Sequence, residues 1–283
     1  MEVVNLKTKK SLLNLIFWIT LSILFNVFIF YTRGETAAIE YFGGYIVEMS
    51  LSLDNLFLFL MVFSSFNIKE EYQEKVLLYG VIGAMILRLT FILLGVAIIS
   101  KFSFLLSIFG VILLISGFKI FFEENDNMQF HDNFAVKLLK KIIPVTNVFQ
   151  EQKFFVKQNK IIYATPLFVA LIIIEFSDII FAIDSIPAIF SITTNTFIVY
   201  TSNIFAILGL RSMYYILQKM NNMFRFMKYG VGFILIFTGL KLVLLFWDIE
   251  ISVTNSVIII IIILLSSILI SFIWDELINK LKS

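Results

Sequence analysis

Two stretches decide the fold: YIVEMSLSLDNLFLFLMVF, residues 45–63, and IIIEFSDIIFAIDSIPAIF, residues 172–190. Each is an apolar run close to the ~20 residues that a helix needs to cross a bilayer. Each also carries acids: Glu48 and Asp54 in the first, Glu175, Asp178 and Asp184 in the second. Glu48 and Asp54 are six residues apart, and so are Asp178 and Asp184. A carboxylate at the centre of a membrane helix costs at least about 2.5–3.5 kcal/mol on insertion scales. Several of them require compensation, either by pairing with a base or by holding a cation.

The composition places the chain in a membrane. Of 283 residues, 60% are hydrophobic, and the mean hydropathy is +0.97. Soluble domains are nearer 45–50% apolar. The apolar runs are continuous rather than alternating, which predicts helices and excludes a β-barrel. The fold class expected is therefore all-α, a polytopic helix bundle in contact with the lipid bilayer. A net charge of +2 gives no reason to expect a nucleic-acid partner. There is no cysteine, and the one histidine, His131, falls in a polar stretch. Soft metal ligands are thus nearly absent and oxygen donors remain.

Hydropathy predicts eight helices, over 12–31, 38–64, 76–99, 102–122, 163–190, 198–218, 229–247 and 255–274. Lys7, Lys9 and Lys10 precede the first run, which is too long for a signal-peptide core and reads as a retained helix. Lys69, Lys75, Lys137, Lys140, Lys141, Lys153, Lys157, Lys160, Lys219, Arg225, Lys228, Lys280 and Lys282 fall on the same side as the amino end. Only Arg33 and Lys101 fall on the other. That asymmetry predicts cytoplasmic termini, a cytoplasmic loop and a bacterial-type inner membrane.

The pattern repeats. ILLISGFKIFF (112–122) matches ILIFTGLKLVL (234–244), aligning Gly117 with Gly239 and Lys119 with Lys241, and Arg88 falls opposite Arg211. Residues 38–122 and 163–247 read as two copies of a three-helix unit. Three is odd, so consecutive copies are inverted in the membrane, as in many secondary transporters. Segment 1–37 adds a peripheral helix, 123–162 a basic cytoplasmic loop, and 248–283 a last helix and tail.

Helical geometry places Glu48 and Asn55 on one face, and Glu175, Asp178 and Ser185 on another. Asp184 points about 100° away from Ser185 in a regular helix. Convergence of all the acids therefore calls for unwinding near Asp54-Asn55 and Asp184-Ser185. Pro187 is expected to break the second helix there by freeing the carbonyl of Ile183. Arg88 and Arg211, both deep in spans, are the charge-pairing candidates. Lys119 and Lys241 sit near span ends, where they can snorkel to water. The excess of acid over base favours a divalent cation or protons. For a cation, carboxylates with Asn55, Asn203, hydroxyls (Ser50, Ser52, Ser177, Ser185) and carbonyls suit a hard one, Mn²⁺, Mg²⁺ or Ca²⁺.

EMSLSLDNLFLFLMVF (48–63), IEFSDIIFAIDSIPAIF (174–190) and TNTFIVYTSNIFAILGLRSMYY (194–215) closely resemble the TerC family of integral membrane proteins. That family takes its name from tellurium resistance and is grouped with LysE-like transporters. The resemblance implies a role in manganese homeostasis. It makes Glu48, Asp54, Asn55, Glu175, Asp178, Asp184 and Ser185 the motif positions that would meet the metal. Tellurite itself is an oxyanion, which an anionic site repels.

Two functions follow as expectations. The first is export of a divalent metal, manganese foremost, by alternating access between the repeats. The second is a membrane scaffold that assists metal loading or insertion of exported proteins without moving ions itself. No enzyme is expected: the Gly-Xaa-Gly-Asp motif of an intramembrane aspartyl protease is missing.

Overall fold

A computed structural model describes residues 2–102, 104–122, 139, 141–146, 152–158, 161–219 and 226–282. Its long elements are helices: α1 (Glu2–Arg33), α2 (Glu35–Ser65), α3 (Glu70–Ile99), α4 (Leu105–Phe122), α5 (Pro166–Phe190), α6 (Thr196–Lys219), α7 (Met227–Leu244) and α8 (Val253–Lys282). A short 3₁₀ turn, Leu245–Trp247, extends α7. Among the described residues, seven of these helices carry stretches long and apolar enough to cross a membrane. The remaining one, α2, has 31 residues, or ~46 Å of helix, and lies against α5 and α6. The chain is a polytopic all-α membrane bundle, as its hydropathy predicts.

One small β element was not expected. Residues Phe155–Gln158 (β1) and Ile161–Ala164 (β2) pair antiparallel, with Gln158 opposite Ile161. The local sequence FVKQNKIIYA supplies β-branched and aromatic residues on both sides of Asn159-Lys160, the composition of a tight hairpin. As a result α5 starts at Pro166 rather than at 163. Pro166 occupies the first helical turn, where a missing N–H costs nothing. The segment leading into the hairpin is tied to α3. Lys75 Nζ donates to the Gln152 carbonyl at 2.6 Å, and Gln152 Nε2 donates to the Glu71 carbonyl at 3.1 Å. Residues 123–138, 140, 147–151 and 159–160 of the 123–162 loop, among them His131, Lys137, Lys140 and Lys160, lie outside the described residues.

The expected unwinding is not there. Both α2 and α5 are continuous α-helices through Asp54-Asn55 and Asp184-Ser185. Nor does Pro187 break α5. It lies three residues before the helix end, and the last turn closes with Ser191 N–H donating to the Pro187 carbonyl at 3.0 Å. A proline removes only its own N–H, so one so near the terminus interrupts little of the ladder.

The helices with glycine in register approach closely. A methyl group on Gly110 of α4 would stand 2.7 Å from the Gly239 carbonyl of α7, and one on Gly239 would stand 2.7 Å from the Gly110 carbonyl. One turn pair further on, Gly117 and Gly232 meet in the same way. Gly110 facing Gly239 while Gly117 faces Gly232 means that α4 and α7 run antiparallel. Such small-residue seams let backbones pack without the help of a hydrophobic effect, which lipid does not supply. On the other side of the core, Gly44 of α2 meets Ser202 of α6, and Gly80 of α3 meets Ile174 of α5.

The peripheral α1 is held by an aromatic patch. Phe25 packs on Tyr41 and Phe205, with ring centroids 5.6 and 4.9 Å away. Ser22 and the Tyr41 hydroxyl share a buried 2.9 Å hydrogen bond.

Candidate metal and ion-pair site

Glu48 lies 13 residues into α2, Asp178 lies 12 residues into α5, and Arg88 lies in the second half of α3. At 1.5 Å per residue Glu48 and Asp178 are about 18–20 Å from their helix starts and Arg88 about 27 Å from its own, all well inside the bundle. The packing brings all three together. Arg88 is 1% exposed and Glu48 0%. One terminal nitrogen of Arg88 donates to Glu48 Oε1 and to Asn203 Oδ1, the latter at 2.9 Å. Ser185 Oγ lies 3.4 Å from the same nitrogen. Its other terminal nitrogen donates to Asp178 Oδ1 at 3.2 Å.

Neutral donors complete the cluster. Ser52 Oγ donates to Glu48 Oε1 at 3.0 Å, one turn along α2. Asn55 Nδ2 reaches Asp178 Oδ1 at 3.3 Å. Asn203 is oriented by its own helix, donating Nδ2 to the Val199 carbonyl at 2.8 Å. Four helices thus contribute to one buried polar knot with two carboxylates and one guanidinium. Breaking such a knot on one side leaves an uncompensated charge, which is the costly case in a low-dielectric interior.

The knot is not saturated. Among the described residues, Glu48 Oε2, Asn55 Oδ1 and Asp178 Oδ2 are buried oxygens with no hydrogen-bond partner. All three are hard donors of the type that suits Mn²⁺, Mg²⁺ or Ca²⁺. In donor chemistry these oxygens suit such an ion as cargo, and Arg88 bridges the two carboxylates. No group of three or more His, Cys, Asp or Glu side chains gathers closely enough to hold a metal among the described residues.

The other motif residues are dispersed. Asp184, half-buried on α5, accepts a 2.8 Å hydrogen bond from Ser116 of α4, apart from Arg88. Glu175 sits one turn before Asp178 but turns toward α3, where its carboxylate fills the space beside Gly83. Asp54 lies on α2, and its side chain is outside the described residues. The hydroxyl of Ser50 bonds its own helix at the Ile46 carbonyl, 2.7 Å away. Ser116 was not among the expected site residues. The repeat alignment held the clue, since Ser116 and Thr238 precede the aligned glycines and both carry a hydroxyl.

Two expected charges behave differently. Arg211 does not neutralise an acid of the core. Its side chain is 43% exposed and stands 3.5 Å from Glu74, which is 53% exposed. Eight residues before the end of α6, it reaches the bundle edge. Lys241 does not snorkel. It is 5% exposed, and its Nζ donates to Ser256 of α8 at 2.7 Å. Lys119, in contrast, is exposed.

Residues 33–278 match the integral membrane protein TerC family. An uncharacterized membrane protein of Rickettsia bellii is 44% identical over 234 residues, covering 83% of this chain and 78% of that protein. A protein of Escherichia coli K12 named as a candidate membrane-bound redox modulator, Alx, is 43% identical over 250 residues, 85% of this chain and 78% of its own length. The chloroplast thylakoid membrane protein TERC of Arabidopsis thaliana is 42% identical over 250 residues, 88% of this chain and 65% of that protein. No solved structure matches. With the match spanning most of the chain, and the quoted acidic motifs within it, this protein belongs to the TerC family of integral membrane proteins.

Proposed function

We propose that the chain is a membrane carrier for a hard divalent cation, manganese foremost, acting without enzymatic chemistry. The observation that carries this reading is the trio of unpartnered buried oxygens on Glu48, Asn55 and Asp178 beside the Arg88 counter-charge. Arg88 holds the two carboxylates while no ion is bound. A dication entering between them replaces the guanidinium as their partner, and Arg88 returns when the ion leaves. This exchange keeps the carboxylates compensated throughout, which the energetics of a buried charge demand. Asp184 with Ser116 forms a way station nearer the end of α5.

The paired contacts support two inverted repeats as the frame for this movement. The shift in sequence that carries Gly117 onto Gly239 also carries Gly110 onto Gly232, so the two α4–α7 contacts exchange. It carries Gly80 onto Ser202 as well. The shift that carries Glu48 onto Asp178 carries Gly44 onto Ile174, so the Gly44–Ser202 contact becomes Ile174–Gly80. A pseudo-two-fold axis in the membrane plane accounts for both exchanges, with the ion site on it. Under the positive-inside rule both termini face the cytoplasm, across a bacterial-type inner membrane. Cys is absent from the chain, so a thiol-based redox role has no group here to perform it.

The test is uptake of radiolabelled manganese into vesicles reconstituted with wild type and Asp178→Asn. Saturable uptake in wild type, reduced at least about tenfold in the variant by loss of a charged ligand, is the expected result. Absence of uptake in wild type sinks the carrier reading and favours a membrane scaffold that assists metal loading of exported proteins.

A further inference from the structure

A second polar feature lies away from the acidic knot, at one end of the bundle. A cavity of about 520 Å³ opens between α1, α3 and α6. Its walls change character along the membrane normal. At the mouth stand Lys10, at the beginning of the α1 span, Glu74, one turn into α3, and Arg211, near the end of α6. The helix directions put all three at the same end of the bundle. Ser212 and Tyr215 add hydroxyls to this rim, and that of Tyr215 is buried beside the Arg211 guanidinium. Deeper in, by one to two helical turns, the lining becomes Trp18, Leu78, Val81 and Leu208.

The sequence of a cationic rim, hydroxyl donors and an apolar floor is the order of groups along a phospholipid. Lys10 and Arg211 supply the bases of the rim and Glu74 lines it with them, while Glu70, one turn earlier on α3, also acts on Tyr215. Glu74 stands 3.5 Å from one Arg211 nitrogen and Tyr215 beside the same guanidinium, which with five donors has further N–H groups for another acceptor. Leu78 is 46% exposed, so the apolar wall runs out onto the outer face of the bundle, where acyl chains would lie. Basic pockets between membrane helices on the cytoplasmic side are suited to anionic headgroups. We propose that this groove binds an anionic phospholipid, its phosphate held by Lys10, Arg211 and the Tyr215 hydroxyl, its first acyl segment against Trp18 and Leu208. The bound lipid ties the peripheral α1 to the α3–α6 pair.

The full-length protein in detergent, measured by native mass spectrometry, decides this. Phosphatidylglycerol, phosphatidylcholine of the same acyl chains, and glycerol phosphate are the three probes. Phosphatidylglycerol is expected to remain bound, in preference to the other two. The double variant Lys10→Gln/Arg211→Gln is expected to weaken its retention about 10- to 30-fold, the scale for losing two basic contacts with an anionic headgroup. Val81→Trp, which fills the groove and keeps both charges, is expected to weaken it as well. Lys101→Gln, remote from the cavity, serves as the unchanged control. Equal retention of phosphatidylcholine, effective competition by glycerol phosphate, or undiminished phosphatidylglycerol binding in both groove variants would overturn the proposal. Manganese uptake does not enter the readout, so the two proposals fail independently.

Discussion

Arg88 of α3 and Arg211 of α6 are both arginines set within apolar spans, yet they live in different physical worlds. Arg88 is 1% exposed and touches groups from three other helices. Arg211 is 43% exposed and faces a single glutamate at 3.5 Å. The same side chain is therefore an obligatory counter-charge on α3 and a weak surface partner on α6. Depth sets the difference. A charge surrounded by protein at mid-bundle has nothing but its partners, whereas one at the edge has water and headgroups as alternatives. The contrast also explains why the carboxylates gather at Arg88: one guanidinium supplies enough donors to hold two of them from different helices.

The comparison breaks most decisively at Arg88. Arg88→Met is expected to lower stability by about 3–5 kcal/mol, since Glu48 and Asp178 are left buried without a cation. Thermal unfolding in detergent reads this loss. Neutralising both acids in the same chain, Glu48→Gln with Asp178→Asn, should recover much of it. A loss with Arg88→Met no larger than with Arg211→Gln would refute the distinction.

Next in size is the glycine seam, which tests whether close packing rather than charge governs the core. Gly239→Val is expected to cost about 1–3 kcal/mol, because the added carbon meets the Gly110 backbone oxygen at 2.7 Å. The variant melts lower, and Gly110→Val, which presses on the same contact from the other helix, should do so by a similar amount. Unequal losses would argue against equivalent halves.

Removing one acid while keeping its shape is milder. Asp178→Asn leaves Arg88 bonded to Glu48 and Asn203, so the expected loss is about 1–3 kcal/mol, read by the same melting assay. Its larger effect is on manganese uptake, which separates a ligand from a merely structural partner.

The smallest effect is expected at the edge. Arg211→Gln should change stability by no more than about 1 kcal/mol in lipid-free detergent. Raising the salt to about 1 M should erase even that, because an exposed pair is screened beyond a few ångströms. The cost of Arg88→Met should persist in the same salt. Salt dependence is thus a direct measure of which arginine belongs to the core.

Much of this was legible in the residues. Eight helical runs, their order and their approximate limits follow from hydropathy, because lipid forces every backbone group to pair within its own segment. The acids stood out because they are expensive there. Arg211 differs from its expected place because position along a span does not fix depth in the bundle. A long side chain two turns from a helix end reaches the edge, and the sequence does not say which face of α6 it leaves from. Lys241 erred in the other direction: α8 covers it and Ser256 accepts its bond. The hairpin at 155–164 was hidden in a basic stretch whose charges suggested a plain loop.

Composition and periodicity alone determined that this chain spans a membrane as helices, and that the acids buried in its spans need a counter-charge. These are local costs, and each is paid or avoided by the segment that carries it. Which acids actually meet was decided only by tertiary packing. Regular helices cannot turn every carboxylate to one point. The close seams at Gly44, Gly80, Gly110 and Gly239 set the crossings that bring Glu48 and Asp178 to Arg88 and leave Asp184 with Ser116.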